Sequence, residues 1–118
     1  MATSVEREYI KRGDTWKATL SWFDGAYPLD LTGATVRLQL RTKKVYSVVL
    51  DVSTASGELT VPEPLNGQVK LEVPAATMEA IAPSVYWCDG QATLADGSVQ
   101  SSATFEVEVH QDITYDDA

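Results

Sequence analysis

The chain has 118 residues, 44% of them hydrophobic and 22% charged, and a formal net charge of −8. This is the size of one domain with its own core, and its acidity excludes the clustered basic surface that nucleic-acid binding requires. No apolar run approaches the ~18 residues that a membrane span needs. A single cysteine, Cys88, excludes an internal disulfide, and the N-terminus lacks the layout of a secretory signal, so we expect folding in a cytoplasm.

Alternation of apolar and polar residues predicts the strands, because successive side chains of a strand point to opposite faces. The run "TWKATLSWF" puts Trp16, Leu20 and Trp22 on one face, and "TVRLQLR" alternates in the same way. With a short strand near residues 8–11, the alternating segments are 15–23, 35–41, 45–52, 57–61, 67–73, 85–94 and 103–109. The pattern predicts about seven or eight strands.

Turn signals separate these segments and set the fold class. Three pairs that accept positive φ at little cost fall between the strands: Asp24-Gly25, Asn66-Gly67 and Asp96-Gly97. Residues 75–81 have helical character, which Pro83 ends. We therefore predict an all-β fold, a single immunoglobulin-like antiparallel β-sandwich with one short helix. An OB-type barrel is the alternative, which the acidic charge and the lack of a basic aromatic face disfavour.

The same pattern predicts one domain with two terminal extensions. Residues 1–10 form an N-terminal arm, residues 11–114 the sandwich, and residues 115–118 a flexible acidic tail. No repeat or interdomain linker interrupts the chain.

The tripeptide Arg12-Gly13-Asp14 has the sequence of a cell-adhesion signal. An adhesive tripeptide needs the tip of an exposed loop, with both charged side chains free. Here Trp16 follows two residues after Asp14 and is the first inward residue of a core strand. We therefore interpret the tripeptide as a turn, in which Gly13 adopts a conformation that other residues resist.

Few side chains of the sequence could act in catalysis, so we predict that the protein is not an enzyme. His110 is the only histidine and Cys88 the only thiol. Strand parity places Cys88 in the core with Tyr86 and Ala92, where a cysteine is an inert small hydrophobe. No metal-ligand spacing and no glycine-rich phosphate loop is present, so we predict no cofactor, no metal and no small-molecule substrate.

Trp87 differs from the two core tryptophans, Trp16 and Trp22. The parity that buries Tyr86 and Cys88 sends Val85 and Trp87 outward, and exposed tryptophan is typical of binding hot spots. Two interpretations stay open: a protein-contact patch, or a surface covered by the N-terminal arm.

Charge divides the chain into a basic first part and an acidic remainder. Residues 1–44 hold eight of the nine Lys and Arg against five acids, whereas residues 45–118 hold Lys70 against twelve acids. This favours ionic contacts, within one chain or between copies. Glu106 and Glu108 project from one face of a strand, where we expect them to meet Arg37 and Arg41. With Val85 and Trp87, the candidate interface residues are Arg37, Arg41, Lys43, Lys44, Glu106 and Glu108.

Several segments together resemble a known family. "RGDTW", "PLDLTGATVRLQLR", "GQVKLEVPAATMEAIAPSVYWCDGQATLADGSV" and "VEVHQDIT" resemble the immunoglobulin-like N-terminal domain of phage baseplate upper proteins. The resemblance covers residues 11–114, with the Asp30–Gly33 corner, the Tyr86–Asp89 segment and the closing Asp112–Thr114 as its motifs. Ser84 and Gly90 depart from the family pattern.

The resemblance implies a function and a location. It implies a non-enzymatic structural or assembly module of a bacteriophage virion, in the tail, the baseplate or a neighbouring part of the particle. The partners would be other virion proteins and copies of itself, and the protein would reach the virion from the host bacterial cytoplasm. The alternative is a receptor- or carbohydrate-binding adhesive domain of a phage tail.

Overall fold

The computed structural model describes residues 2–3, 7–102 and 104–111, which form two sheets packed face to face. The predicted β-sandwich is confirmed. Its strands are β1 (Ala2–Thr3), β2 (Arg7–Lys11), β3 (Trp16–Asp24), β4 (Tyr27–Pro28), β5 (Thr35–Thr42), β6 (Val48–Ser53), β7 (Leu59–Thr60), β8 (Gln68–Val73), β9 (Ser84–Thr93), β10 (Val99–Ser101) and β11 (Phe105–His110). A 3₁₀ turn spans Pro64–Asn66, and the helix α1 spans Ala75–Glu79.

Each alternating segment of the sequence corresponds to one strand of the structure. The additional strands β1, β4 and β10 have two or three residues, which is too short for alternation to show. Strand β2 begins at Arg7 and so takes in residues assigned to the arm. The predicted acidic tail, residues 115–118, and the closing motif 112–114 lie outside the described residues.

The two sheets have different strand orders. The five-stranded sheet runs β1-β3-β8-β7, with β4 also beside β3. The six-stranded sheet runs β2-β11-β9-β5-β6, with β10 also beside β9. Strand β2 is parallel to β11, and the other described pairings are antiparallel. Two separate sheets distinguish this fold from the OB-type barrel.

The core lies between the sheets, as alternation predicts. Trp22 is fully buried and Trp16 is 3% exposed, so both are core residues. Tyr86, Cys88 and Ala92 of β9 are buried as well, which confirms the predicted parity of that strand. Because successive side chains alternate, the other residues of β9 face away from the core.

Helix α1 lies in the connection between β8 and β9 and packs against the core. It lies within the predicted segment 75–81, and Met78 on its inner side is fully buried. Within the described ranges, no helix is long and apolar enough to cross a membrane.

The Arg12-Gly13-Asp14 segment is a turn between β2 and β3, as predicted. The Asp14 amide donates to the Lys11 carbonyl at 3.1 Å, and Gly13 has a φ of 87°. The Arg12 side chain is not free, because its Nε donates to the Glu79 carbonyl at the end of α1, 2.9 Å away. The turn therefore ties the start of β3 to the helix.

Candidate protein-contact surface

The face of the six-stranded sheet that points away from the core carries most of the candidate residues. Alternation places these side chains outward, because the residues next to them on each strand are buried. We call this surface the outer face; it consists of Arg7, Tyr9, Arg37, Gln39, Arg41, Asp51, Val85, Trp87, Asp89, Glu106, Glu108 and His110.

Trp87 lies near the middle of the outer face. Its cross-strand neighbours are Glu106 on β11 and Arg41 on β5. The Lys43 Nζ stands 4.1 Å from the centre of the indole ring, a cation–π contact. Trp87 and Val85 are both half-buried, and their predicted outward orientation is confirmed.

The described part of the N-terminal arm does not lie over Trp87. Strand β1 pairs with Phe23 and Trp22 of β3, in the other sheet. Strand β2 extends the six-stranded sheet beyond β11, so it lies beside the outer face and not on top of it. Among the described residues, Lys43 provides the cover over the indole.

The two glutamates of β11 pair with other cations than the sequence suggests. Glu106 pairs with Lys43, and with Arg7 at 3.7 Å. Glu108 pairs with Arg7 at 3.3 Å and with His110 at 3.5 Å. The expected contacts with Arg37 and Arg41 are wrong, because β9 separates β11 from β5 and neighbouring strands are ~4.8 Å apart.

The arginines of β5 belong to a second network. Arg37 donates two hydrogen bonds to Asp51 on β6, Nε–Oδ1 at 3.0 Å and Nη2–Oδ2 at 2.6 Å. Gln39 also donates to Asp51, at 3.1 Å. The hydrogen bonds from Arg37 lower the pKa of Asp51 the most. The Gln39 hydrogen bond and the charge of Arg37 lower this pKa further, and together these effects outweigh the partial desolvation that raises it. The carboxylate therefore stays ionised and holds the two β5 side chains in place.

Arg41 is held by neutral groups. Its Nε and Nη2 donate to the Gln39 Oε1 at 3.2 and 2.8 Å, and its Nη1 donates to the Tyr46 carbonyl at 2.7 Å. No carboxylate of the described chain lies within 4.0 Å of the Arg41 or Lys44 cations. These two charges are therefore available to an external acid.

A groove of about 350 Å³ opens beside Trp87. It is lined by Gln39, Arg41, Tyr46, Trp87, Cys88, Asp89 and Thr104. The volume falls within the range of small-ligand and side-chain pockets. The groove combines two aromatic side chains with polar groups, one arginine and the carboxylate of Asp89.

Sequence reasoning missed Tyr46 of the groove and Asp51 of the outer face. It placed Tyr46 in a strand, whereas β6 begins at Val48 and Tyr46 lies in the hairpin loop with a φ of 56°. Asp51 alternates with the buried Leu50 and Val52, so parity alone places it on the outer face. Lys44 is exposed in the same hairpin loop, next to Lys43.

The one histidine and the one thiol of the sequence, His110 and Cys88, are far apart. Cys88 is 1% exposed and lies opposite Phe105, five residues along β11 from His110. At ~3.4 Å per residue this separates them by ~17 Å. Burial, with smaller contributions from Asp89 and Glu8, raises the pKa of the Cys88 thiol far above its ordinary value. His110 is stacked on Tyr9 with ring centres 5.9 Å apart.

Comparisons with known proteins identify the fold. No protein-family model matches the chain, and no curated protein matches it. Among solved structures, the chain is similar to CopC from Methylosinus trichosporium OB3b, with a TM-score of 0.53 and 10% identity over 96% of this chain and 93% of that chain. At this identity the likeness assigns a shared β-sandwich to this chain and no property of CopC.

This comparison contradicts the virion role inferred from the sequence. The similar structure is named CopC and has no link to a phage particle. The predicted structural role in a tail or baseplate, the alternative of a phage adhesive domain, and the virion location are therefore wrong. The sequence resemblance that suggested them stays a prediction.

The donor side chains of the described residues are not grouped as a metal site requires. Within residues 2–3, 7–102 and 104–111, no three His, Cys, Asp or Glu side chains are grouped closely enough to hold a metal ion. His110 has one carboxylate neighbour, Glu108, and Cys88 is buried alone in the core. The comparison with CopC therefore assigns no metal site to this chain.

Proposed function

We propose that this protein is a non-enzymatic binding module that recognises an acidic polypeptide segment through the groove beside Trp87. The observation that carries the proposal is the composition of the groove: Trp87, Tyr46 and Arg41 all line it, and Arg41 has no carboxylate within 4.0 Å among the described residues. The two aromatic side chains offer contact to an apolar side chain of a ligand, and Arg41 offers a partner to a neighbouring carboxylate.

Hydrogen bonds and strand pairing hold the side chains of the groove in place, which favours binding of a ligand. Arg41 is fixed by three hydrogen bonds and keeps further guanidinium donors for a ligand. Trp87 stands on the central strand β9, between β5 and β11. Side chains that are already ordered lose less conformational entropy on binding, so a groove of this kind gives affinity to a modest contact area.

The cations without an internal partner favour an acidic partner. The outer face and the adjoining hairpin loop hold five cations and four carboxylates, in a chain whose net charge is −8. The cations are Arg7, Arg37, Arg41, Lys43 and Lys44, and the acids are Asp51, Asp89, Glu106 and Glu108. Arg7, Arg37 and Lys43 are paired within the chain. Arg41 and Lys44 remain for a partner, and attraction between unlike charges speeds encounter as well as stabilising the complex.

The geometry of the reactive groups supports a role without catalysis. The thiol of Cys88 is buried and protonated, and His110 stands on a different part of the sheet. A nucleophile and its base need hydrogen-bond distance. We therefore assign the outer face to binding.

The test is selection from a random-peptide display library on the immobilised wild-type protein. We expect the selected peptides to combine Asp or Glu with an aromatic or large apolar residue. Synthetic copies are then measured by isothermal titration calorimetry against the wild type, Trp87→Ala and Arg41→Gln. Each substitution should weaken binding about tenfold or more, the loss typical of a hot-spot residue.

Tyr27→Ala is the matched control. Tyr27 is 77% exposed on β4, in the other sheet, so its loss removes an exposed aromatic without touching the groove. Binding by this variant should equal that of the wild type. Peptides that bind Trp87→Ala as tightly as the wild type, or a library with no acidic enrichment, would contradict the proposal.

A further inference from the structure

The groove beside Trp87 continues into a second cleft on the outer face. This cleft has a volume of about 270 Å³. It shares Gln39, Arg41 and Asp89 with the groove, and it adds Arg37 and Gln91 to the lining. We call the groove and this cleft together the trough. A ligand that binds beside Trp87 therefore has room to extend past Asp89.

The register of β5 and β9 orders the side chains along the trough. Three pairs of opposite residues follow one another on the outer face: Arg41 with Trp87, Gln39 with Asp89, and Arg37 with Gln91. Consecutive pairs are two residues apart on each strand, which corresponds to a step of ~7 Å. The trough therefore runs along the two strands and not across them.

The end of the trough at Arg37 offers no unpaired charge to a ligand. Arg37 is bonded twice to Asp51, and Gln91 opposite it is uncharged. The Gln39 amide is also occupied, because it donates to Asp51 and accepts from Arg41. The charges that are free to act on a ligand lie nearer to Trp87.

Asp89 is an exposed carboxylate in the trough that has no partner. Among the described residues, no hydrogen bond or salt bridge joins its side chain to another group. Its diagonal neighbour across the strand pair is Arg41, a relation that spans ~7–8 Å. The Arg41 guanidinium is held instead by the Gln39 side chain and the Tyr46 carbonyl. The trough thus holds two unpaired charges of opposite sign, one step apart.

The Asp89 charge works against a ligand that carries acids alone. A carboxylate bound to Arg41 stands about one step of the strand from Asp89. The screening length at physiological ionic strength is ~8 Å, so the two like charges repel each other. A cation of the ligand beside Asp89 replaces this repulsion by attraction. Repulsive elements of this kind commonly decide which partner a surface accepts.

We propose that Asp89 determines the charge pattern of the ligand, so that the bound segment carries a Lys or Arg two residues from the acid that binds Arg41. In an extended segment, side chains two residues apart project to the same side and are separated by ~7 Å. This equals the step along the strands between Arg41 and Asp89. The inference rests on the proposed function, because it specifies the ligand of the same groove.

Parallel selections from one random-peptide library test the inference on immobilised wild type, Asp89→Asn and Asp89→Lys. Wild-type peptides should carry Lys or Arg two residues from their acid. Asp89→Asn should still select the acid but lose this preference, and Asp89→Lys should select a second acid at that position. Because Asp89 is exposed, both variants should fold like the wild type, which thermal unfolding verifies.

Glu72→Gln is the matched control. It removes the same charge from an exposed position on β8, in the other sheet. The peptides that it selects should match those of the wild type. A change in their charge pattern would attribute the preference to the net charge of the protein and not to Asp89, which would overturn the inference.

Isothermal titration calorimetry measures the size of the preference. A peptide selected on the wild type is compared with a copy that has Gln in place of its Lys or Arg. The wild type should bind the charged peptide about two- to fivefold more tightly, the range of an exposed ion pair, and added salt should reduce the difference. Asp89→Asn should bind both peptides equally, and the Gln copy more tightly than the wild type binds it.

The outcomes separate this inference from the proposed function. Wild-type peptides with an acid but no preference for Lys or Arg would overturn the inference and leave the acidic ligand in place. The same preference on Asp89→Asn, or equal affinity of the wild type for the two synthetic peptides, would also overturn it. Wild-type peptides without acids would contradict the proposed function and the inference together.

Discussion

The indole of Trp22, on β3, lies against the backbone of Gly90, on β9 of the opposite sheet. A Cβ at position 90 would stand 2.7 Å from the Cζ2 of Trp22 and 3.1 Å from its Cη2. The indole Nε1 is buried with no hydrogen-bond partner among the described residues, so packing and not hydrogen bonding holds the ring. Gly90 therefore sets the distance between the sheets at this point.

Gly90→Ala should destabilise the protein through this contact. The added methyl group meets a fully buried ring, so the sheets must separate or Trp22 must leave its rotamer, at a cost of about 1–3 kcal/mol. The measurement is the free energy of unfolding in urea, with Gln91→Ala, at an exposed position of the same strand, as the control. An unchanged free energy for Gly90→Ala would show that the core relaxes around the methyl group.

Gly13→Ala should destabilise the protein for a reason in the backbone. Gly13 has a φ of 87°, and a Cβ added there would meet no atom within 4 Å, so the cost is conformational strain of about 1–2 kcal/mol and not a clash. Gly13→Asn should lose less, because asparagine tolerates positive φ better than alanine. Thermal unfolding of the three proteins provides the comparison. If Gly13→Ala and Gly13→Asn lower the stability equally, an explanation based on the φ angle of Gly13 is contradicted.

Much of the fold follows from the sequence because alternation is a local signal. The strands that contain Trp16, Leu38 and Val107 each bury one face, and their period of two appears in the sequence itself. The turn at Gly13 was predictable for the same reason, since the glycine directly precedes a core strand.

The pairings on the outer face did not follow from the sequence, because they depend on strand order. Glu106 was expected to meet Arg37, but β9 stands between their strands, and Lys43 reaches Glu106 from the hairpin loop. The position of Tyr46 depends on where β6 begins, which alternation places too early. The functional class was inferred from resemblance and not from a site, and the structural comparison with CopC contradicts it.

The pairing of Glu106 with Lys43 predicts a pH effect on stability. The Lys43 hydrogen bond, with the charges of Lys43 and Arg7, lowers the pKa of Glu106 from its ordinary value of 4.5. A carboxyl group whose pKa is lower in the folded state stabilises that state above pH 4.5, and this contribution is lost as the pH falls through the folded-state pKa. Glu106→Gln should therefore reduce stability at pH 7 and have a smaller effect at low pH.

Urea unfolding of the wild type and Glu106→Gln at several pH values measures this difference. Glu72→Gln is the control, because Glu72 pairs with Lys17 at 3.5 Å with both side chains largely exposed, and such pairs contribute little. If the free energy of unfolding of Glu106→Gln differs from that of the wild type by the same amount at pH 7 and at low pH, the pairing does not alter folding.

The rate at which a thiol reagent labels Cys88 should follow the unfolding of the protein. It is 1% exposed, and burial, followed by Asp89 and Glu8, raises its pKa, so the reactive thiolate is scarce in the folded protein. A thiol reagent should label native protein slowly, at a rate that rises with urea in parallel with unfolding, whereas Val99→Cys should react at once. Gly90→Ala should accelerate labelling of Cys88, because it destabilises the strand that carries the thiol. Fast labelling of the native wild type would instead place Cys88 within reach of solvent through the groove.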